Sequence, residues 1–198
     1  MEKKISEIKH EFASAGTEEL LGLFALYAED SRAGVSGLIK QYKKKLEKLE
    51  KEKERLWKMK EYERQYRYMG YVCGIDEAGR GPLAGPVVAG AVILPEDCEI
   101  LWLNDSKQLS EKKREILYNE IMEKAVAAEV GIVEPEKIDE INILQATYEA
   151  MCQAVNKLSV RPQVLLNDAV TIPGLDIRQI PIIKGDAKSL SIAAASVI

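Results

Sequence analysis

Tyr71-Val-Cys-Gly-Ile-Asp76-Glu77-Ala-Gly79-Arg80-Gly81-Pro82 is the stretch from which the rest of the chain is best read. A short apolar run ends in two adjacent carboxylates, and a glycine-framed arginine follows. Side chains alternate faces along a strand, so neighbouring carboxylates diverge unless the strand is ending there, where both can converge on a shared metal or substrate. The glycines let the backbone turn tightly and approach a ligand closely. Two further aspartates follow apolar runs, Asp168 after Val164-Leu-Leu-Asn and Asp186 after Ile180-Pro-Ile-Ile-Lys-Gly. Carboxylates at the ends of three strand-like segments point to a divalent-metal site.

Tyr71 to Asp76 and Pro86 to Leu94 are short and β-branched, and their glycine-rich link predicts an antiparallel pair. Ser110 is the expected N-cap of a helix running to about Ala128, with Lys113 where a glutamate would close a capping box. A strand over Ala128 to Val133 follows. Next comes a helix near Ile138 to Leu158, with Ile141, Leu144, Tyr148, Met151 and Val155 on its apolar side; Tyr148 and Met151 are assigned to the core. Gln163 to Asn167 and Arg178 to Ile183 read as strands, and a last helix spans Ile192 to Ile198 after Ser189 or Ser191. Strands first and then strand–helix alternation predict an α/β domain, a mixed sheet covered by helices.

Residues 1–68 read differently, as a charged helical extension preceding a catalytic domain over 69–198. Thr17 is the expected N-cap of a helix with Leu20, Leu21, Phe24 and Tyr27 on one face. The Asp30-Ser31 and Gly34 to Gly37 region reads as a break, and a long helix is expected from Leu38 to Tyr68. Its sparse stripe of Tyr42, Leu49 and Leu56 is interrupted by lysines, which favours a solvated helix packing one narrow face over a coiled coil. Between Lys40 and Arg67 stand twelve Lys or Arg against six Glu, although the whole chain carries a formal charge of −4. An acidic total therefore does not exclude a polyanionic ligand. The basic stripe with Trp57, Tyr62, Tyr66 and Tyr68 is a candidate nucleic-acid contact, against the plainer reading of a solvated face with i,i+4 Glu/Lys pairs.

Composition removes several classes of chemistry. At 198 residues with 46% apolar content the chain has room for one well-buried domain and a small appendage. Cys73, Cys98 and Cys152 are far apart without CxxC spacing, which argues against a zinc site or a disulfide framework and for reduced thiols in a cytoplasmic protein. The single histidine, His10, lies far from every motif, so Ser-His-Asp and Cys-His arrangements are excluded. No apolar stretch reaches about 18 residues and the N-terminus lacks a secretory core, so no membrane partner is expected. Gly74-x-x-x-x-Gly79 is followed by Arg-Gly where a P-loop needs Lys-Ser/Thr, and Gly79-x-Gly81-x-x-x-Gly85 misses the dinucleotide fingerprint by one residue.

Four segments together resemble ribonuclease HII, the type 2 ribonuclease H: GIDEAGRGPLAGPVVAGAVIL (Gly74 to Leu94), NDSKQLSEKKRE (Asn104 to Glu115), LLNDA (Leu165 to Ala169) and KGDAKSLSIAAASVI (Lys184 to Ile198). The resemblance covers roughly residues 69 to 198 and implies a ribonuclease H-like fold. It aligns Asp76, Glu77, Asp168 and Asp186 with the family's catalytic carboxylates, which hold Mg²⁺ or Mn²⁺. Phosphodiester cleavage independently asks for such a site: it needs a positioned nucleophile and charge neutralisation, which two ions roughly 4 Å apart supply. Oxygen ligands without His or Cys select Mg²⁺ or Mn²⁺ over Zn²⁺. The plain alternative is that Asp168 and Asp186 are turn or capping residues.

The resemblance further implies that Gly79, Arg80 and Gly81 contact the 2′-hydroxyl of a ribonucleotide, the group that separates RNA from DNA. It places Ser106 and Lys107, in Asp105-Ser106-Lys107, against the backbone near the cut. Lys184 is a second candidate phosphate contact; Lys112, Lys113 and Arg114 read as helix surface or outer phosphate contacts. The implied activity is hydrolysis of RNA in RNA/DNA hybrids 5′ of ribonucleotides, including single ones embedded in DNA, as in ribonucleotide excision repair. A monomer acting on nucleic acid is expected. In the family the chain continues past the apolar Ile192 to Ile198 segment, so a C-terminally truncated form is expected, and a catalytically impaired duplex-binding or scaffold protein is the alternative. A ribonuclease HIII-type enzyme is a second alternative, disfavoured by Pro82 after Gly-Arg-Gly and by the charged helical N-terminus.

Overall fold

Alternating β-branched and small apolar residues generate a five-stranded sheet in the order β3-β2-β1-β4-β5. The strands are β1 (Val72–Ala78), β2 (Val87–Ile93), β3 (Ala127–Val133), β4 (Val164–Asp168) and β5 (Arg178–Ile182). This computed structural model describes residues 3–81 and 84–198; Pro82, used above to separate two families, lies outside them. β1 pairs antiparallel with β2, and β2 with β3, while β1–β4 and β4–β5 are parallel. The mixed sheet flanked by helices is therefore the α/β architecture the sequence predicts.

The chain divides into two units, Met1–Glu54 and Arg55–Ile198. In the first, α1 (Ile5–Ser14), α2 (Thr17–Leu26) and the start of α3 (Ala33–Met59) bury Ile8, Phe12, Leu20, Tyr27, Val35 and Leu38. Phe12 sits among Phe24, Tyr27 and Tyr42 with ring centroids 5.2 to 6.1 Å apart. Leu21, expected on the buried face, is 63% exposed. The N-cap of α2 is Gly16 and not Thr17, because the Glu19 carboxylate accepts the Gly16 N–H at 2.8 Å. The expected break occurs at Asp30-Ser31, between α2 and α3, but does not extend to Gly34 to Gly37: α3 opens at Ala33 and runs through both glycines, and the helix expected to reach Tyr68 is interrupted at Lys60, before α4 (Glu61–Tyr66).

In the second unit one sheet face is covered by α7 (Ile143–Lys157) and the other by α5 (Glu111–Lys124) and α8 (Leu190–Ala195). The single helix expected over 138–158 is two, α6 (Pro135–Ile141) and α7. Asn142 separates them at φ 70°, and its side chain caps α7 by accepting from the N–H groups of Leu144 and Gln145. Met151 is fully buried, but the rest of the buried face is Ala146, Thr147, Ala150, Ala154 and Val155, while Leu144 is 41% exposed. The helix rests so close to the sheet that a Cβ on Gly131 would lie 1.9 Å from the Ala150 carbonyl oxygen, leaving room only for small side chains there. No helix among the described residues is long and apolar enough to cross a membrane.

Candidate active site

Parallel alignment sets the C-terminal ends of β1, β4 and β5 side by side, and register decides what meets there. Gly74 is opposite Leu166 and Ile75 opposite Asn167. Asp76 and Asp168 come next on neighbouring strands and share the face of Gly74 and Leu166. After β5 the chain passes Lys184, an exposed residue in the left-handed region at φ 57°, and turns through Gly185–Ala187. The Gly185 N–H donates to Asp168 Oδ1 at 2.8 Å, which brings Asp186 beside Asp168.

The electrostatics of this edge are adverse. Burial, reinforced by the charges of Glu77, Asp168 and Asp186, pushes Asp76 up to about 7, against one favourable hydrogen bond from the Glu77 N–H. Asp186 is raised as well, by burial first and then by Asp105 and Asp168, with the Ala187 N–H and Lys107 pulling the other way. Carboxylates held at such cost in stability commonly mark a functional site.

Glu77 behaves differently from its neighbour. β1 does not end at Asp76 as expected but stays paired with β2 through Ala78, so Glu77 falls on the opposite face. Its Oε1 accepts from Arg80 at 2.8 Å, and its Oε2 is buried with no hydrogen-bond partner. Among the described residues no group of three or more His, Cys, Asp or Glu side chains is gathered as a metal cluster. Each carboxylate has a local partner instead: the Glu77 N–H for Asp76, Arg80 for Glu77, the Gly185 N–H for Asp168 and the Ala187 N–H for Asp186.

The other sequence-selected residues divide into those the fold has already used and those left open. Gly79 adopts φ +90°, and a Cβ there would lie 2.3 Å from the Pro86 carbonyl oxygen, so the turn itself requires glycine. Gly81 has ordinary φ, and a Cβ on it would meet no described atom within 4 Å. In the turn after Asn104, the Asp105 carboxylate accepts the Lys107 N–H at 2.9 Å, and the Ser106 N–H donates to Ser196 Oγ at 3.2 Å. Lys107 is exposed, as are Lys112 and Lys113. Arg114 is half-buried, and its Nη1 donates to the carbonyls of Ser106 and Leu109, bracing that turn.

Sequence reading missed two groups. Asp105 stands in the sequence only as part of the Asp-Ser-Lys motif, yet its charge acts on Asp186; an aspartate that caps a turn beside a candidate phosphate-binding lysine is the available signal. Glu63 of α4 reaches the segment after Asp186, accepting from Ser189 and Ser191. No local pattern announces a pairing across more than a hundred residues.

The ribonuclease HII profile matches residues 73–198, and the ribonuclease HII N-terminal domain profile matches residues 4–67. The chain is 59% identical over 198 residues to ribonuclease HII of Lachnoclostridium phytofermentans, covering all of this chain and 78% of that protein. It is 51% identical to ribonuclease HII of Bacillus cytotoxicus, covering 99% of this chain and 74% of the relative. Among solved structures, ribonuclease H2 of Pyrococcus horikoshii superposes with a TM-score of 0.56 at 32% identity, over 64% of this chain and 69% of that one. Profile matches over both parts of the chain and relatives of this identity establish that it belongs to the ribonuclease HII family, hydrolases that cut RNA in RNA/DNA hybrids.

Proposed function

We propose that residues 69–198 form the catalytic domain of a cytoplasmic, monomeric endoribonuclease that cuts 5′ of ribonucleotides in duplexes, including single ones embedded in DNA, and leaves 5′-phosphate and 3′-hydroxyl ends. The observation that carries this reading is Asp76 beside Asp168 and Asp186 at one end of a parallel strand set, with Asp76 pushed up to about 7. Adjacent carboxylates, two of them, Asp76 and Asp186, with raised proton affinity, are an all-oxygen donor set suited to hard divalent cations. Asp76, Asp168 and Asp186 would hold Mg²⁺ or Mn²⁺ from one face of the strand ends, and Glu77, which continued β1–β2 pairing sends to the other face, would join them by leaving Arg80 and turning toward the cation. Such ions, when bound, supply activation of water and neutralisation of the departing oxygen. The buried, unpartnered Oε2 of Glu77 is a ligand atom in waiting.

The chain's own residues do the positioning. Exposed Lys107, whose charge reaches Asp186, and exposed Lys184, two residues before it, offer point charges to phosphates near the carboxylates, with the Ser106 hydroxyl as a further polar contact. The open space around Gly81 lets bare backbone approach a sugar edge and meet its 2′-hydroxyl, with Arg80 held in place by Glu77 and Gly79 shaping the turn. Residues 1–68 form a helical extension whose basic stripe adds non-specific attraction to the duplex. The deciding experiment compares a duplex carrying one embedded ribonucleotide with an all-DNA control, with Mg²⁺ and with chelator. Cleavage only of the first, only with metal, and with the cut 5′ of the ribonucleotide is expected; cleavage of both or of neither overturns the reading.

A further inference from the structure

Glu63 is a carboxylate the reaction does not use, yet it is bonded to the segment that carries the reaction. Its Oε1 accepts from Ser189 Oγ at 2.6 Å, Ser191 Oγ at 2.7 Å and the Ser191 N–H at 2.9 Å. Both serines are fully buried. Ser189 Oγ in turn accepts the Ile192 N–H at 3.2 Å and so caps α8. The Ser189 N–H donates to the Gly185 carbonyl at 2.8 Å, and the Gly185 N–H donates to Asp168 Oδ1. Asp186 lies inside this closed run of bonds, between Gly185 and Ser189. On its other side, Ser191 touches β1: a Cβ on Gly74, two residues before Asp76, would lie 2.1 Å from the Ser191 carbonyl carbon.

We propose that Glu63 is a positioning residue for catalysis: from α4 it clamps the Gly185–Ser191 segment so that Asp186 and Asp168 are held in one arrangement against Asp76. A hydrogen bond to a charged acceptor is about twice as strong as a neutral one, and three of them converge on a single oxygen here. The clamp holds the segment by its serines without touching substrate. Misplacement of about 1 Å in a catalytic group costs up to ~10²-fold in rate, so a loosened segment would lower turnover without weakening duplex binding. The glutamine variant keeps a neutral carbonyl acceptor where Oε1 stands and puts an amide NH₂ in place of the buried, unpartnered Oε2, so it removes the charge while leaving an acceptor for the serines.

This inference rests on the reading of Asp76, Asp168 and Asp186 as catalytic, and its test includes a readout independent of activity. Glu63→Ala and Glu63→Gln in the full chain are compared with the unaltered protein by steady-state hydrolysis of the ribonucleotide duplex and by amide hydrogen exchange of residues 185–193 without substrate or metal. The expected result is a kcat roughly tenfold or more lower for Glu63→Ala with KM within about twofold, most of it restored in Glu63→Gln. Exchange of the Gly185, Ser189 and Ser191 amides should accelerate in the same order while exchange in β1 and β2 is unchanged. If Glu63→Ala does not fold, the glutamine variant is read alone: a lowered kcat together with faster exchange at 185–193 than in the unaltered protein supports the proposal, and unaltered values in either measurement overturn it. Unchanged exchange at 185–193, or accelerated exchange with full kcat, overturns the proposal. If the unaltered protein proves inactive, the catalytic reading fails separately, and with it the positioning role, whatever the exchange data show.

Discussion

The two faces of the central sheet are built by the same device to opposite ends. Over β2 and β3, α7 approaches until Gly131 and the Ala150 carbonyl are in contact, and what it buries is Ala89, Ala91, Ala146, Ala154, Met151 and Val133. Over β1 and β2, α8 approaches until Gly74 meets Ser191 and Gly90 meets the Ala195 carbonyl. There the buried groups include Ser189, Ser191 and the Glu63 carboxylate, and the strand ends beyond carry Asp76 and Asp168. The first face gains apolar burial at about 25 cal/mol per Å². The second gives up part of that gain to bury polar groups and hold like charges together. Close packing alone therefore does not mark a functional face; close packing combined with buried, mutually bonded polar groups does.

The sharpest way to break this contrast is Asp76→Asn, which should lower hydrolysis on the order of 10³-fold while leaving circular dichroism native. Because the folded value of about 7 exceeds the unfolded value near 3.8, the Asp76 charge destabilises the metal-free protein above pH 7. Unaltered protein should gain stability relative to the variant as pH falls from about 7 towards 4. Denaturant titrations across that window, without metal, should show the variant on the order of 2 kcal/mol more stable at pH 8 and the difference closing at pH 4. Retained activity, or a difference that does not depend on pH, would remove Asp76 from the site.

A matched pair of glycine substitutions compares the faces directly. Gly131→Ala and Gly74→Ala each force a Cβ into backbone, at 1.9 Å and 2.1 Å, and each should cost about 3 kcal/mol by denaturant unfolding. Only Gly74→Ala should also lower kcat of the folded fraction, by up to ~10²-fold, because the displaced helix carries the segment after Asp186. Equal kcat for the two variants would mean the α8 face is scaffold only.

Smaller effects sharpen the picture at the rim. Gly81→Ala should leave the melting temperature unchanged, since the new methyl meets no described atom, yet slow cleavage at a single ribonucleotide by roughly tenfold. An unchanged rate would return the segment to a plain turn. The least change is expected of Lys184→Ala: a few-fold rise in KM and a salt dependence of binding shallower by about 1 in log–log slope, equal for hybrid and DNA duplexes. A loss confined to the hybrid duplex would instead make Lys184 a sugar-reading residue.

Much of this was legible without coordinates, for identifiable reasons. Val72–Ile75 and Val164–Leu166 announce buried strands through side-chain type, and Asp168 and Asp186, each an ordinary turn or capping residue by itself, stand out only together with the Asp76-Glu77 pair and the matching motif spacing. Local signals failed where a single residue tipped a boundary. Asn142, in the left-handed region with its side chain capping α7, split a helix that periodicity had joined. Gly34 and Gly37, read as a break, lie inside α3 because tertiary packing outweighs a propensity penalty of about 1 kcal/mol per glycine.

What the sequence determines by itself is the set of strands, their mixed-sheet class and the acidic side chains at their ends, because alternation and residue chemistry are local properties. Tertiary structure alone decides which carboxylates share a face. Continued pairing of β1 with β2 sends Glu77 to the side opposite Asp76, and parallel register with β4 sets Asp168 on Asp76's side. It also brings Asp105 to Asp186 and Glu63 to Ser189 and Ser191, partners separated by 81, 126 and 128 positions. Electrostatic and hydrogen-bond energies depend on distance in space, and distance in space is what a linear chain leaves open until its register is set.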